Sequence, residues 1–437
     1  MGGSVRDLLM GRPVIDIDLV VERDPGTVAR EIARSGGGTP FPLSERHGAW
    51  RVVRDDGHTV DVAAMRGSLE DDLRLRDFTI NAIARPLHGG ELVDPTGGQA
   101  DVEAKLLRAV SPAVFDDDPL RLLRLARIAH ELGMAIDPGT EGLARARAEL
   151  ADRPSGERTF MELRRLLSAP DPADGIRLVD GLGVLDAIVP ELTACKGLEQ
   201  TRHHALDVFD HTLMVVDAVA DIAEHPSHYL PRHQQQVRTA MAEDVGDEAQ
   251  AWLGLRFAAL FHDVAKPLTQ TRSQGRIGFP DHDRRGAELT RRVLARWKPS
   301  GLFADFCSRM VRRHLTLGFS SRAPLNRRAA YRYRRATHPW EVASVVLSLG
   351  DRLSTRGAGS KLRHLRSHSE GASAMLDMLA VLDAEAQEPL LRGDEIAQLS
   401  GAEGRRIGEL VAALAEEQAA GTVTTREEAV DLVTKQV

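Results

Sequence analysis

From residue 14 to about 93, β-branched and apolar residues alternate with polar ones over short runs. VIDIDLVVE, WRVVRDDGHTVDVAAM and ELVD are separated by glycine and aspartate turns, and a period of two is that of half-buried strands. After Pro119 the period changes. Ala, Leu, Arg and Glu dominate and apolar residues recur every three or four, so the spacing predicts helix almost throughout, interrupted at Pro154, Pro170, Pro172, Pro226, Pro231 and Pro299. The expected fold class is α+β: a small α/β head at 1–110, a helical region at 111–195, a second all-α domain at 200–385 and a short helical tail at 386–437. The stretch HPSHYLPRHQQQ at 225–236 reads as a polar loop.

A chain of 437 residues is long enough for two to four units, each with its own core. The net charge of -7 excludes a protein that is basic throughout, so any nucleic-acid face has to be a local patch. Cys195 and Cys307 stand far apart and outside any CxxC spacing, which argues against a disulfide framework or a cysteine-rich zinc site and fits a reducing cytoplasm. No apolar run approaches the roughly 20 residues of a membrane span, and none precedes the first charges as in a signal peptide. A soluble, cytoplasmic chain without a membrane partner is expected.

Asp16 and Asp18 lie two apart in a β-branched run. On a strand both carboxylates share a face, with Cα atoms roughly 6.6 Å apart, a spacing suited to two divalent ions that activate a hydroxyl and stabilise a leaving pyrophosphate. Hard oxygen ligands imply magnesium or manganese. Asp61, in the strand-like HTVDVAAM, is the candidate third carboxylate. Upstream, Gly2, Gly3 and Ser4 precede Val5, Arg6 and Asp7, a turn opening a helix whose N–H groups and arginine suit a triphosphate. A bare DxD is as readily a solvated strand face. Further along, Asp118 stands where a helix N-cap is expected, Pro119 at the first helical position and Arg121 three residues on, sharing a face with Asp118. A carboxylate and an arginine so placed can read the Watson–Crick edge of a base without a template.

Five motifs in order carry a resemblance: GGSVRD, DIDLVV, RDFTINAIA at 76–84, DPTGGQAD at 94–101 and DDDPLRLLRLAR at 116–127. Together they resemble the class II tRNA nucleotidyltransferase and poly(A) polymerase family. The resemblance implies a polymerase beta-like mixed sheet in the head, with Asp16 and Asp18 as the Mg2+-binding catalytic pair and Asp61 near the primer hydroxyl. It places the nucleotide phosphates at Gly2, Gly3, Arg6 and Asp7, and ribose and nucleotide contacts at Arg76, Asp77 and Asn81. Leu75 stands where the family usually has an arginine, and Asp117 where it usually has glutamate. Asp118 and Arg121 fall on the base-reading motif. Arg124 and Arg127 continue its stripe as nucleotide-binding candidates, an ion-paired helix face being the competing reading. Glu157, Arg158 and Glu162 match a helix motif that is mainly structural. Family heads usually have a helix and a strand before the double glycine, and Met1 occupies the place of that strand's last residue, so either a start lies upstream or the sheet lacks an edge.

Between 200 and 355, His211, His262–Asp263, His282, His314 and Asp351 each adjoin an apolar helical stretch. A lone histidine on such a helix is more often a core residue, but imidazoles and carboxylates converging from several helices can hold one or two transition metals. The order H, HD and a distant D resembles the HD superfamily of metal-dependent phosphohydrolases. That implies His211, His262, Asp263 and Asp351 as ligands of a divalent metal of unspecified identity, with His282 and His314 completing a second position and Lys266 near a phosphate. His203 and His204 are weaker candidates. The arginine-rich SSRAPLNRRAAYRYRRATH at 320–338 offers a backbone grip for RNA with Tyr331 or Tyr333 stacking, against a solvated basic helix face.

The expected activity is addition of C and A residues to a tRNA 3′ end from CTP and ATP, with an HD phosphohydrolase activity alongside. A-only or CC-only addition and poly(A) synthesis share the same carboxylates. Two readings of another class are an HD phosphohydrolase with a degenerate head and a noncatalytic RNA-binding protein.

Overall fold

The computed structural model describes residues 1–44, 48–320, 325–355, 357, 362–385 and 388–436. Residues 321–324 of the arginine-rich stretch, Arg322 among them, lie outside these. The chain divides into two compact units, Met1–Pro170 with Asp174–Ile188, and Asp171–Ala173 with Val189–Val437.

The first unit opens with a short helix, α1 (Gly3–Leu9), and a four-stranded sheet of β1 (Asp16–Val21), β2 (Thr39–Ser44), β3 (Ala49–Val53) and β4 (Thr59–Ala64). The strand order is β1-β4-β3-β2; β1 runs parallel to β4 and the other pairs are antiparallel. Alternation divides the faces. Val52, Val60 and Val62 pack with Ala29 of α2 (Pro25–Gly36) in one core, which leaves Thr59 and Asp61 on the opposite face. The mixed sheet and the helical remainder are the expected α+β class.

Four local readings need correcting. The helix α2 interrupts the strand-like region: Asp24 accepts from Thr27 N at 2.7 Å with Pro25 at the first helical position, a start signal that β-branched runs on either side obscured. Strand β2 is TPFPLS, whose two prolines argue against a strand. It lies at the sheet edge, where a missing N–H is tolerated. The ELVD segment, by contrast, forms only an isolated bridge between Val93 and Ala84. Residues 225–236 are likewise not a plain loop, since Pro226–Tyr229 is a helical turn, Pro231–His233 a 3-10 turn and Gln234 opens a helix. Both prolines occupy first helical positions.

Beyond the sheet, helices Leu120–Leu132 and Gly156–Ser168 pack together. The second unit is built from helices Val208–Glu224, Ala251–Phe261, His282–Trp297, Gly301–Arg313 and Glu341–Ser354, with a small hairpin at Thr271–Ser273 and Arg276–Gly278. Its last helices close on a core of their own, including Ile396, Leu410, Leu414 and Val433.

The motif DPTGGQAD is a brace. Asp94 accepts from Gly98 N and Gln99 N at 2.8 Å each, and Asp101 accepts from Thr79 Oγ1 at 2.7 Å, tying the helix Gly98–Glu103 to the 3-10 turn Thr79–Asn81. A Cβ at Gly98 would stand 2.1 Å from the Thr79 carbonyl oxygen. Backbone there cannot yield cheaply, so Gly98→Ala is expected to cost about 1–3 kcal/mol. The check is a lower denaturant midpoint for the unfolding step of the first unit; a wild-type midpoint would show that the turn can move aside.

Candidate active site and metal centre

Gly2 has φ +66°, and its carbonyl accepts from Val5 N and Arg6 N at 3.1 Å each, turning the chain into α1. A side chain at Gly2 would be strained by that φ and would meet Asp18 Oδ2 at 3.4 Å. Ser4 Oγ accepts from Asp18 N at 2.8 Å. The glycine turn is therefore fastened to the carboxylate strand. In the β1–β4 register Asp18 lies directly beside Asp61 and Asp16 beside Thr59, whose hydroxyl donates to Asp16. Arg51, opposite Asp61 on β3, holds both Asp61 oxygens at 2.7 Å. Burial raises the Asp18 carboxyl above its ordinary value; the terminal ammonium and Arg76 oppose the rise, and Asp61 adds to it. A divalent cation would relieve that charge crowding, and carboxylate oxygens are the donors such an ion takes.

Asp77 is the hub behind this site. Its Oδ1 accepts from Phe78 N at 2.8 Å and Asn81 Nδ2 at 3.0 Å, while Asn81 Oδ1 accepts from Arg6 at 2.8 Å. Its Oδ2 accepts from Arg124 at 2.8 and 3.1 Å, and Arg124 continues to Glu162 at 3.1 Å. Arg127 joins Glu162 to Glu131. Burial alone would raise the Asp77 carboxyl, but Arg124, Asn81 and the Phe78 N–H pull it down to about 2. Burial would lower Arg124, and Asp77 and Glu162 instead hold it above its ordinary value. Arg124 and Arg127 thus follow the ion-paired alternative while still lining the cavity described next.

Arg76 is fastened to Asp72 at 2.7 Å. The Asp118 N-cap shifts by one residue: Pro119 occupies the cap before Leu120–Leu132, and Asp118 Oδ1 accepts from Leu120 N at 3.2 Å. Asp118 pairs with Arg158 at 2.7 Å rather than with Arg121, which donates to the carbonyls of Leu75 at 3.0 Å and Val114 at 3.2 Å. The spacing of the Asp118 motif does not foresee the Arg158 partnership, because the partners are far apart in sequence. Asp16, Asp18, Asp61, Asp77, Asp118 and Arg121 all line one cavity of about 1210 Å³. Ten arginines and seven carboxylates meet in its wall, so a chain of net charge -7 presents a locally cationic cleft, as a triphosphate requires.

In the second unit the expected ligands converge on Asp263. His211 comes from Val208–Glu224, His262 from the end of Ala251–Phe261, His282 from the start of His282–Trp297, His314 from the end of Gly301–Arg313 and Asp351 from Glu341–Ser354. Nε2 of His262, His282 and His314 lies 3.1, 3.5 and 3.9 Å from Asp263 oxygens, and His211 Nε2 lies 3.1 Å from Asp351 Oδ1. Three overlapping triads have ligand atoms within 4.8 Å of one another: His204, His211 and Asp351; His211, His262 and Asp263; Asp263, His282 and His314. His262 Nε2 and Asp263 Oδ1 are buried without an aligned hydrogen bond among the described residues, as ligand atoms awaiting a cation would be. Burial pushes His314 down to about 4 and His204 down to about 3, keeping both neutral for ligation. The donor set suits a divalent transition metal.

His203 stays outside the triads, whereas His204 joins one. Lys266, expected near a phosphate, sits inside the cluster. It is buried, 2.5 Å from Asp263 Oδ2 and 2.7 Å from Gln200 Oε1, because one buried carboxylate among imidazoles draws in a cation. The described part of the arginine-rich stretch forms helix Arg327–Thr337, where Arg327, Arg328, Arg332 and Arg334 pair with Glu385, Glu417, Glu416 and Asp383. Tyr333 is buried and donates to the Glu341 carbonyl, so it offers no stacking face.

A strand-borne carboxylate trio beside a glycine turn, followed by helices and a separate His/Asp cluster, defines a nucleotidyltransferase head with an HD domain. The comparisons agree. Residues 1–108 match the poly A polymerase head domain, 133–196 the probable RNA and SrmB-binding site of polymerase A, and 208–333 the HD domain. The A-adding tRNA nucleotidyltransferase of Deinococcus radiodurans is 38% identical over 98% of this chain and 93% of its own length. The CC-adding tRNA nucleotidyltransferase of Thermus thermophilus is 34% identical over 98% and 91%. A solved CCA-adding enzyme with ATP shares the fold at TM-score 0.62 and 20% identity, covering 100% of this chain and 90% of that one. The chain belongs to the tRNA nucleotidyltransferase family of CCA-adding type.

The Asp77 pair sets a pH dependence. A carboxyl depressed in the folded state stabilises above its unfolded pKa near 4 and loses that contribution as pH falls toward about 2. Asp77→Asn is expected to destabilise the first unit by about 3 kcal/mol at pH 7, leaving Arg124 partly unpaired, and the gap to wild type should shrink between pH 4 and pH 2. Unfolding curves across that window measure it; a gap that does not change with pH would remove Asp77 as the titrating hub.

Proposed function

We propose that this chain adds C and A residues from CTP and ATP to the 3′ end of tRNA, using divalent ions held by Asp16 and Asp18. The observation that carries the reading is the β1–β4 register, which puts Asp18 beside Asp61 with the Gly2 turn against the same carboxylate. When bound, Mg2+ at these aspartates would acidify the attacking hydroxyl and neutralise the departing pyrophosphate. The α1 turn and Arg6 hold the triphosphate, and Arg51 keeps the Asp61 carboxylate aimed across the sheet toward the primer hydroxyl. Asp118 and Arg121 read the base edge. Arg158 fixes the first, the carbonyls of Leu75 and Val114 fix the second, and this prior orientation replaces a template. The HD cluster holds a divalent transition metal and hydrolyses phosphate esters.

A second reading, addition of A alone or CC alone, is favoured by the nearly full-length similarity to an A-adding and a CC-adding relative. The two are separated with Mg2+ and tRNA ending at the discriminator base, at C or at CC, supplied with CTP, ATP or both. Extension of all three substrates to full CCA ends supports the first reading. A product from the CC-ended tRNA only, or stalling at CC, supports the second.

Asp18→Ala is expected to reduce extension by about 10³-fold or more, the equivalent of several kcal/mol of lost charge stabilisation, while phosphoester hydrolysis continues. His262→Ala should do the reverse. Loss of both activities from either change would refute two separate sites.

A further inference from the structure

The imidazoles of the second unit form one row. Neighbouring ring centroids are 4.7 Å apart for His204 and His211, 5.5 Å for His211 and His262, 5.4 Å for His262 and His314, and 5.3 Å for His314 and His282. Three of them are oriented alike: Nδ1 of His262, His282 and His314 meets the carbonyl three residues earlier, on Ala259, Phe279 and Val311, at 2.7, 2.6 and 2.7 Å. A carbonyl can only accept, so Nδ1 carries a proton and, in the neutral ring, the Nε2 lone pair faces the cluster, the arrangement by which proteins fix metal-ligating histidines.

His204 has a related contact, to a hydroxyl in place of a carbonyl. Its Nδ1 lies 3.2 Å from Thr201 Oγ1, again three residues earlier, and a hydroxyl can accept the same proton. One ring nitrogen is then left for ligation, and His204 offers a donor atom within 4.8 Å of donors on His211 and Asp351. In the same row His211 Nδ1 is buried without a hydrogen-bond partner among the described residues. His204 also lines a pocket of about 720 Å³, together with Gln200, Arg202, His203 and Arg276.

We propose that His204 is a further metal ligand, holding with His211 and Asp351 a cation at the pocket end of the cluster, beyond the positions centred on Asp263. The inference rests on the reading that the HD cluster binds divalent metal. In this arrangement the His204 position faces the 720 Å³ pocket, where an anionic group entering between Arg202 and Arg276 would meet it.

The test uses the full chain carrying Asp16→Ala and Asp18→Ala, which removes the head's carboxylate pair. Metal-stripped protein is titrated with Mn2+, and free Mn2+ is followed by its paramagnetic resonance signal. Further changes to this parent are His204→Ala, His204→Gln, His203→Ala and Asp263→Ala, with circular dichroism of each metal-free protein as the folding control. Both His204 variants are expected to lose one bound Mn2+ or to hold it about tenfold more weakly, while His203→Ala matches the parent. Parent-like binding in both His204 variants, with Mn2+ lost in Asp263→Ala, would overturn the His204 assignment and leave the cluster reading standing. A parent that binds no Mn2+, or Asp263→Ala binding like the parent, would overturn the cluster reading and His204 with it.

Discussion

The buried ion pair of Asp77 and Arg124 is the interaction on which the head's site depends. A carboxylate in the interior is tolerated only when its charge is matched and its lone pairs are filled, and Asp77 meets both conditions with Phe78 N–H and Asn81 beside it in sequence and Arg124 from a distant helix. Through Asn81 it reaches Arg6 behind the glycine turn; through Arg124 it reaches Glu162 and the helix Gly156–Ser168. The glycine turn, the 3-10 turn and the helix Leu120–Leu132, which carries Arg121, are thereby held in one frame.

A similar logic operates in the second unit, with the sign of the surplus reversed. Asp263 is buried amid imidazoles, and Lys266 supplies a positive charge beside one of its oxygens. Imidazoles pinned through Nδ1 direct Nε2 inward, and in the neutral ring that atom carries the lone pair. The ligand atoms are thus pre-aimed by backbone carbonyls, which are set by helix ends. This explains why the histidines stand at the ends or starts of helices as well as within them. Both sites put a buried aspartate at the centre and orient the groups around it by local backbone.

Much of the chemistry was legible before the fold. The DxD spacing implied one face of a strand, and β1 is that strand; the H, HD and D series implied convergence, and the helices converge. Other features were not legible, for identifiable reasons. Prolines concealed β2 because edge position, which excuses them, is a tertiary property. The arginines of Arg327–Thr337 suggested RNA, yet their acidic partners are supplied by later helices at long sequence separation. The burial of Lys266 against Asp263 likewise depends on packing.

By itself the sequence determined the alternation that separates core valines from carboxylates, the breaks of several helices at proline, and the identity of the groups able to bind metal. Those properties depend on neighbours within a few residues, so local chemistry suffices. Only the tertiary structure decided that Asp18 stands beside Asp61, that Asp118 is held by Arg158 and not Arg121, and that His204 rather than His203 joins the imidazole row. Strand register, ion-pair choice and ring approach are set by which distant segments share a small volume, and that is a property of packing, which no local pattern encodes.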